Sequence, residues 1–286
     1  MDLQHRHVHA NRSLHVERSL ITAVAFVAWL PSAAPAAAQI SVEVSPLRVE
    51  LAAGPGSTTT QGIIVSNAGK DAVRVRARLT DWDLSRDGAP QFEGAIENGP
   101  YSATSWFRLA PPEQVIEPGK DTTVRFSMTV PGDLQPGGYR TGVLFEFGPA
   151  AGDPVGRSRE VMFKSRIATL IYINIGQPAV AAELSDLSVR PVGAQLQAIA
   201  TVRNTSRRSV RTKGSLIVYG QGGQAVREVP VPDVPLLPES EREVMMVVVD
   251  QEKRVALAAG EYRLELRLDV GLPALLVGET TLKVPR

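Results

Sequence analysis

Apolar residues in this chain recur at every second position, and that period constrains the fold more than any other feature. SVEVS, LRVEL, GIIVSN, VRVRARLTDW, TTVRFSMTV, YRTGVLFEF and VMFKSRIATLIYINI are β-branched segments, several of them strictly alternating. Each is bounded by turn chemistry such as AGPGS, NAGKD, RDGAP, EPGKD or QPGG. No sustained helical period interrupts them. About seven strands between residues 40 and 175 match an immunoglobulin-like sandwich. After the short linker GQPA (176–179) the recipe repeats in AQLQAIATVRNTS, KGSLIVYG, REVMMVVVD, GEYRLELRLDV and ETTLKVP. The two sets rhyme, VSNAGKDAVRV with VRNTSRRSVRT and GGYRTGVLFEF with AGEYRLELRLD. The pattern predicts an all-β protein of two tandem immunoglobulin-like β-sandwich domains, residues 39–175 and 179–286.

The first 38 residues belong to a different argument. Arg12 and Arg18 precede the apolar run LITAVAFVAWL, and PSAAPAAAQ follows with small residues at Ala36 and Ala38. This three-part layout predicts a secretory signal peptide over residues 1–38, cleaved before Gln39, and hence export to the periplasm. The run is too short to span a membrane comfortably, so the expectation is no stable membrane insertion after cleavage.

Removing residues 1–38 takes three of the 31 basic and two of the 30 acidic residues, which leaves no net formal charge. No electrostatic footprint for nucleic acid remains. All four histidines (His5, His7, His9 and His15) leave with the signal, and the chain has no cysteine. The usual neutral-pH base, the thiolate nucleophile and the commonest metal ligands are therefore missing. The reading is a non-enzyme without cofactor or metal, stabilised by packing and not by disulfides. DWDLSRDG places Asp81, Asp83 and Asp87 close together, but the spacing misses a calcium loop and fits an acidic hairpin turn. Trp82 and Trp106 read as packing residues under the sheet.

One strand raises a physical problem. In VMFKSRIATLIYINI (161–175) the cations Lys164 and Arg166 stand in an otherwise greasy segment, and a buried cation is costly unless paired. The surrounding residues suggest what it pairs with. SPLRVEL, IIVSN, LTDWDLSRDG, LAPPEQVIEPGKDTTVRF, GGYRTGVLFEF and KSRIATLIYI follow one another in register over residues 40–175. In that order and spacing they resemble the first domain of the periplasmic chaperones of chaperone–usher pilus systems, the PapD family. The chain departs from the family pattern at IYINIG, where relatives carry an arginine–proline pair.

The resemblance implies a periplasmic chaperone that completes pilus or fimbrial subunits by donor-strand complementation and delivers them to an outer-membrane usher. It implies that Arg48 and Arg166 grip the C-terminal carboxylate of a pilin-like subunit, a charge-assisted contact. It also implies that Val161 and Phe163, on the opposite strand parity from Arg166, are the inserted donor-strand residues while main-chain bonds form along the strand edge. Lys164 is the rival anchor, read as an edge charge that discourages aggregation. The alternative function is an exported two-domain adhesion or scaffold module that binds a cell-surface protein or polysaccharide.

Overall fold

The computed structural model describes residues 41–92, 99–150 and 165–285. Residues 1–40, with the expected signal segment, lie outside them, as do Val161, Phe163 and Lys164. Strands of the first half are β1 Val42–Ser45, β2 Arg48–Ala53, β3 Thr58–Asn67, β4 Val73–Thr80, β5 Asp83–Leu84, β6 Pro90–Gln91, β7 Phe107–Ala110, β8 Glu113–Ile116, β9 Asp121–Thr129, β10 Gly137–Pro149 and β11 Ser165–Ile175. Those of the second half are β12 Ala182–Val192, β13 Gln195–Asn204, β14 Val210–Arg211, β15 Lys213–Tyr219, β16 Ala225–Pro230, β17 Pro235–Leu236, β18 Ser240–Asp250, β19 Gly260–Asp269 and β20 Leu276–Val284. Among the described residues there is no α-helix.

The first half is a sandwich of a four-stranded sheet, β1-β3-β9-β7, on a five-stranded sheet, β2-β11-β10-β4-β8. The two-residue period decides which side chains meet between them. Val73, Val75 and Ala77 of β4 point inward with Val143, Phe145 and Phe147 of β10 and Ile171, Ile173 and Ile175 of β11. They meet Ile63, Val65, Val124, Phe126 and Met128 from the other sheet, all buried. The second half repeats the plan with β12-β13-β18 facing β16-β15-β19-β20 around Ala200, Leu216, Leu264, Leu266 and their neighbours. The protein is therefore all-β, with two immunoglobulin-like sandwiches, and Ala38–Arg286 forms one compact unit.

The rhyme in sequence is a rhyme in structure. Asn67, at the end of β3, donates from Nδ2 to the Asp71 and Ile116 carbonyls and accepts from the Gly69 N–H. Asn204, at the end of β13, donates to the Arg208 and Leu237 carbonyls and accepts from the Ser206 N–H. Both asparagines are buried and both satisfy the backbone of the turn that follows. Trp106 packs against the first core, as expected. Trp82 does not. It is buried on the outer face of the five-stranded sheet, with Tyr172 of β11 and with Leu237 of the second half.

The two sandwiches meet through close backbone approach. The Gly138 N–H donates to the Arg207 carbonyl at 2.6 Å. A Cβ on Gly138 would lie 2.7 Å from the Ser209 backbone nitrogen, so only glycine fits there. The β5–β6 hairpin also reaches across. Arg86 pairs with Glu241, its carbonyl accepts from the Glu243 N–H at 2.9 Å, and Gly88 (φ +90°) lies against the Arg242 guanidinium. Burial lowers the Arg242 pKa from its usual value.

Candidate functional site

The first strand sets up the site by changing sheets. β1 pairs with β3 as far as Ser45 opposite Ile64, and then Pro46, which has no N–H to give a ladder, marks the crossing. Beyond it β2 joins the other sheet, parallel to β11, with Arg48 opposite Leu170 and Ala53 opposite Ile175. The Leu170 N–H donates to the Leu47 carbonyl at 2.9 Å, and Thr169 Oγ1 donates to the Pro46 carbonyl at 2.8 Å.

β11 is longer than its partner. Its ladder with β10 runs from Ile175 opposite Gly137 to Ser165 opposite Phe147. Among the described residues, 165–169 therefore have a strand on the β10 side only. Strand geometry says which groups face the open side. The peptide of Leu170 points toward β2, so those of Arg166 and Ala168, on the same parity, point the same way. The edge is a short template for another chain.

Parity also places the side chains. Arg166, Ala168, Leu170 and Tyr172 share the outer face of the sheet with Arg48 and Glu50 of β2 and with Glu146 and Leu144 of β10. Arg48 and Arg166 thus occupy neighbouring strands and the same face. They are offset, however. Arg48 stands opposite Leu170, four residues from Arg166, or about 13 Å along the strand. Each has its own carboxylate. Arg48 Nε is 3.4 Å from Glu50 Oε1, and Arg166 Nε is 3.2 Å from Glu146 Oε1.

A neighbour that sequence reasoning missed shares the second carboxylate. Arg78 of β4 brings its Nε to 3.8 Å from the same Glu146 oxygen. Arg78, Arg166, Leu144, Ala168, Gln91 and Phe92 line a cavity of about 470 Å³ on this face. Leu144 is buried at its floor. The signal for Arg78 was the alternation VRVRAR, which puts Arg74, Arg76 and Arg78 on one face, but only the register β4-β10-β11 brings Arg78 to Arg166.

Behind the edge, the outer face becomes the cleft between the sandwiches. Trp82 and Tyr172 meet edge to face with centroids 5.1 Å apart, and Trp82 Nε1 donates to the Thr141 carbonyl at 2.7 Å. Burial pushes the Tyr172 hydroxyl pKa up, against the opposing pull of Arg211, Arg242 and Arg48. Arg211 of the second sandwich lies 3.7 Å from Glu50 Oε1 and donates to Asp233 at 2.6 Å. A cavity of about 190 Å³ continues the cleft between Asp81, Trp82, Tyr101, Arg140, Leu237 and Glu239. Burial, with a contribution from Glu239, pushes the Tyr101 pKa up to about 12. Among the described residues no group of three His, Cys, Asp or Glu side chains is placed to hold a metal ion.

Two sandwiches with a switched first strand and an overhanging last strand define the class of architecture. No protein-family model matches the chain, and no curated protein sequence does. Solved structures similar to it include the E. coli chaperone DraB, at 16% identity over 86% of this chain and 98% of that one, with a TM-score of 0.39. The Salmonella enterica SafA pilin in complex with the SafB chaperone matches at 15% over 86% and 97%, TM-score 0.41. The CsuC–CsuE chaperone–tip adhesion subunit complex of Acinetobacter baumannii matches at 13% over 84% and 97%, TM-score 0.42.

Proposed function

We propose that the protein is a periplasmic chaperone that holds secreted pilin-like subunits by donating the edge of β11, and passes them to an outer-membrane usher. The observation that carries this reading is the overhang of β11 beyond β2, with the Arg166 and Ala168 peptide groups turned to the open side. A subunit strand laid there gains main-chain hydrogen bonds, and its alternate side chains meet the outer face around Arg166. Val161 and Phe163, which precede β11 in the sequence, are the residues proposed to enter the subunit's unfinished sandwich. Arg166 supplies the charge that holds the subunit's terminal carboxylate, with Arg48 on the adjacent strand. The ordered sequence segments that resemble the PapD family support the same role.

Ala168→Pro tests the edge directly. The Ala168 N–H points away from β10, so proline there removes no native ladder bond, as for prolines on natural sheet edges. The variant is expected to keep the wild-type melting temperature and to lose co-purification with its subunit from the periplasm. Arg166→Ala is expected to weaken capture by roughly 10- to 150-fold, the effect of losing a charged hydrogen bond. Retained capture by the folded Ala168→Pro protein refutes strand addition and leaves the adhesion module as the better account.

A further inference from the structure

Independently of what β11 captures, we infer that the β5–β6 hairpin of the first sandwich is a guard for the second. It lies on the open edge of β18 and keeps that strand from pairing with β18 of another copy.

β18 is a strand in need of protection. It is the edge of the sheet β12-β13-β18, and its centre reads VMMVVV (244–249), six consecutive apolar residues. Exposed edges of natural sheets carry charges, prolines or bulges that turn other strands away, and an apolar β-forming run without proline is the pattern that recruits them. Here the run holds no charge, and its one register shift with β13 comes late, between Val247 and Val249.

Parity identifies the open groups. The Glu243 N–H donates to the Arg86 carbonyl at 2.9 Å, so the peptide of Glu243 is turned away from β13. Those of Met245 and Val247 face the same way. Their side chains stand beside Ile199 and Gln197 of β13 and are 38% and 36% exposed.

The edge is closed on either side of these two residues. At its start the hairpin is bonded to Glu243, Arg86 pairs with Glu241, and Gly88 (φ +90°) lies against the Arg242 guanidinium, where a Cβ would come 1.7 Å from Nη2. Arg242 is buried and its Nη1 donates to the Pro235 carbonyl at 2.7 Å, which holds the guanidinium in place from the second sandwich. At the other end Arg227 of β16 donates to the Val248 and Ala256 carbonyls. The two residues between are fewer than even a short strand pairs through.

The occupant that the bare edge fits is a second β18. Two-fold antiparallel pairing sets Met245 of one copy opposite Val247 of the other, apolar against apolar. It also brings Glu241 and Glu243, at the start of one strand, toward the exposed Lys253 and Arg254 just past the end of the other. With the hairpin in place, Arg86 already holds Glu241 and its backbone fills the space beside Glu243. The guard belongs to the first sandwich, so the second is protected only while the two are docked.

Sedimentation equilibrium of the full mature chain reads the outcome. Wild type is compared with a hairpin variant, Arg86→Glu with Gly88→Val, which sets like charges together and drives the hairpin off Arg242. A third protein adds Met245→Pro to that variant. The Met245 N–H faces away from β13, so this proline removes no native ladder bond. The hairpin variant is expected to self-associate about ten-fold or more tightly than wild type, as for two ladder bonds gained, and Met245→Pro is expected to cancel the gain. Scanning calorimetry establishes which variants fold. Arg86→Glu alone disturbs less and is expected to tighten association by up to about five-fold, the worth of one exposed ion pair, so it decides the matter if the double variant does not fold. The guard is refuted if the folded hairpin variants sediment as wild type at every concentration. It is refuted equally if Met245→Pro leaves the added association intact, since another surface then carries it, or if Met245→Pro dissociates a wild-type dimer, since the edge was then never closed.

Discussion

Substitution of Gly138 by alanine probes the contact on which the whole cleft depends. Gly138 sits on the outer face of β10, and its new Cβ would stand 2.7 Å from the Ser209 backbone nitrogen and 2.5 Å from Ser209 Oγ. The hydroxyl can rotate away, but the nitrogen belongs to the second sandwich's backbone. It is about 0.8 Å too close for favourable contact. Relief requires the two sandwiches to part there, which stretches the 2.6 Å bond from the Gly138 N–H to the Arg207 carbonyl. Overpacking of this kind costs about 1–3 kcal/mol, partly offset by about 0.4–1 kcal/mol from the stiffer unfolded chain. The net loss is then at most about 2.6 kcal/mol, with about 1.3 kcal/mol in the middle of the range. For a chain of this size it lowers the melting temperature by roughly 3–5 °C and by no more than about 10 °C. Gly148 is the control, on the same strand and face but with nothing within 4 Å of the place a Cβ would take. Gly148→Ala should be neutral or slightly stabilising. Differential scanning calorimetry on both variants, with small-angle scattering for the domain arrangement, measures the outcome. If Gly138→Ala melts with wild type and scatters identically, the reasoning that this glycine sets the approach of the sandwiches is wrong.

Two further outcomes follow from the cleft. Trp82→Ala removes a side chain that is 2% exposed and packs on Tyr172 and Leu237, so a loss of about 3–5 kcal/mol is expected in denaturant titration, with the first sandwich's own core left intact. The Tyr101 hydroxyl, with its pKa pushed up to about 12, keeps its proton when the unfolded chain has released its own near 10. The folded state then binds more protons, so stability falls as pH rises above about 10, and Tyr101→Phe should flatten that alkaline decline in melts across pH 9–12.

The strand period carried most of the fold. Clean alternation in β4 and β19 identified core faces from local sequence alone, and the paired asparagines marked equivalent turns in both halves. Other elements had no such signal. β12 has no fully buried side chain, and a register shift between Leu184 and Asp186 breaks its alternation, so Ala182 and Leu184 fall out of step with Leu187 and Val189. β10 fails for the opposite reason. It is buried on both faces, and its apolar run GGYRTGVLFEF shows that a strand is covered twice without showing by what. The same limit applies to the site. That Arg166 interrupts a greasy strand was legible, and so was its parity. Which cation stands beside it depends on how β4, β10 and β11 line up across more than eighty residues of chain, and no local pattern encodes that register.

Glu50 is shared between Arg48 of the first sandwich and Arg211 of the second, and this makes the edge and the cleft thermodynamically linked. Any ligand that draws Arg48 toward itself frees Glu50 for Arg211, and any change that pulls Arg211 away returns Glu50 to Arg48. By reciprocity the two events influence each other equally. The size of that influence is bounded by what a half-exposed ion pair is worth, about 0.2–1 kcal/mol, or a factor of at most about five in affinity. Such a coupling is too weak to act as a switch, and screening by salt reduces it further. The contacts that hold the sandwiches together are therefore the glycine approach and the β5–β6 hairpin, and not this shared carboxylate.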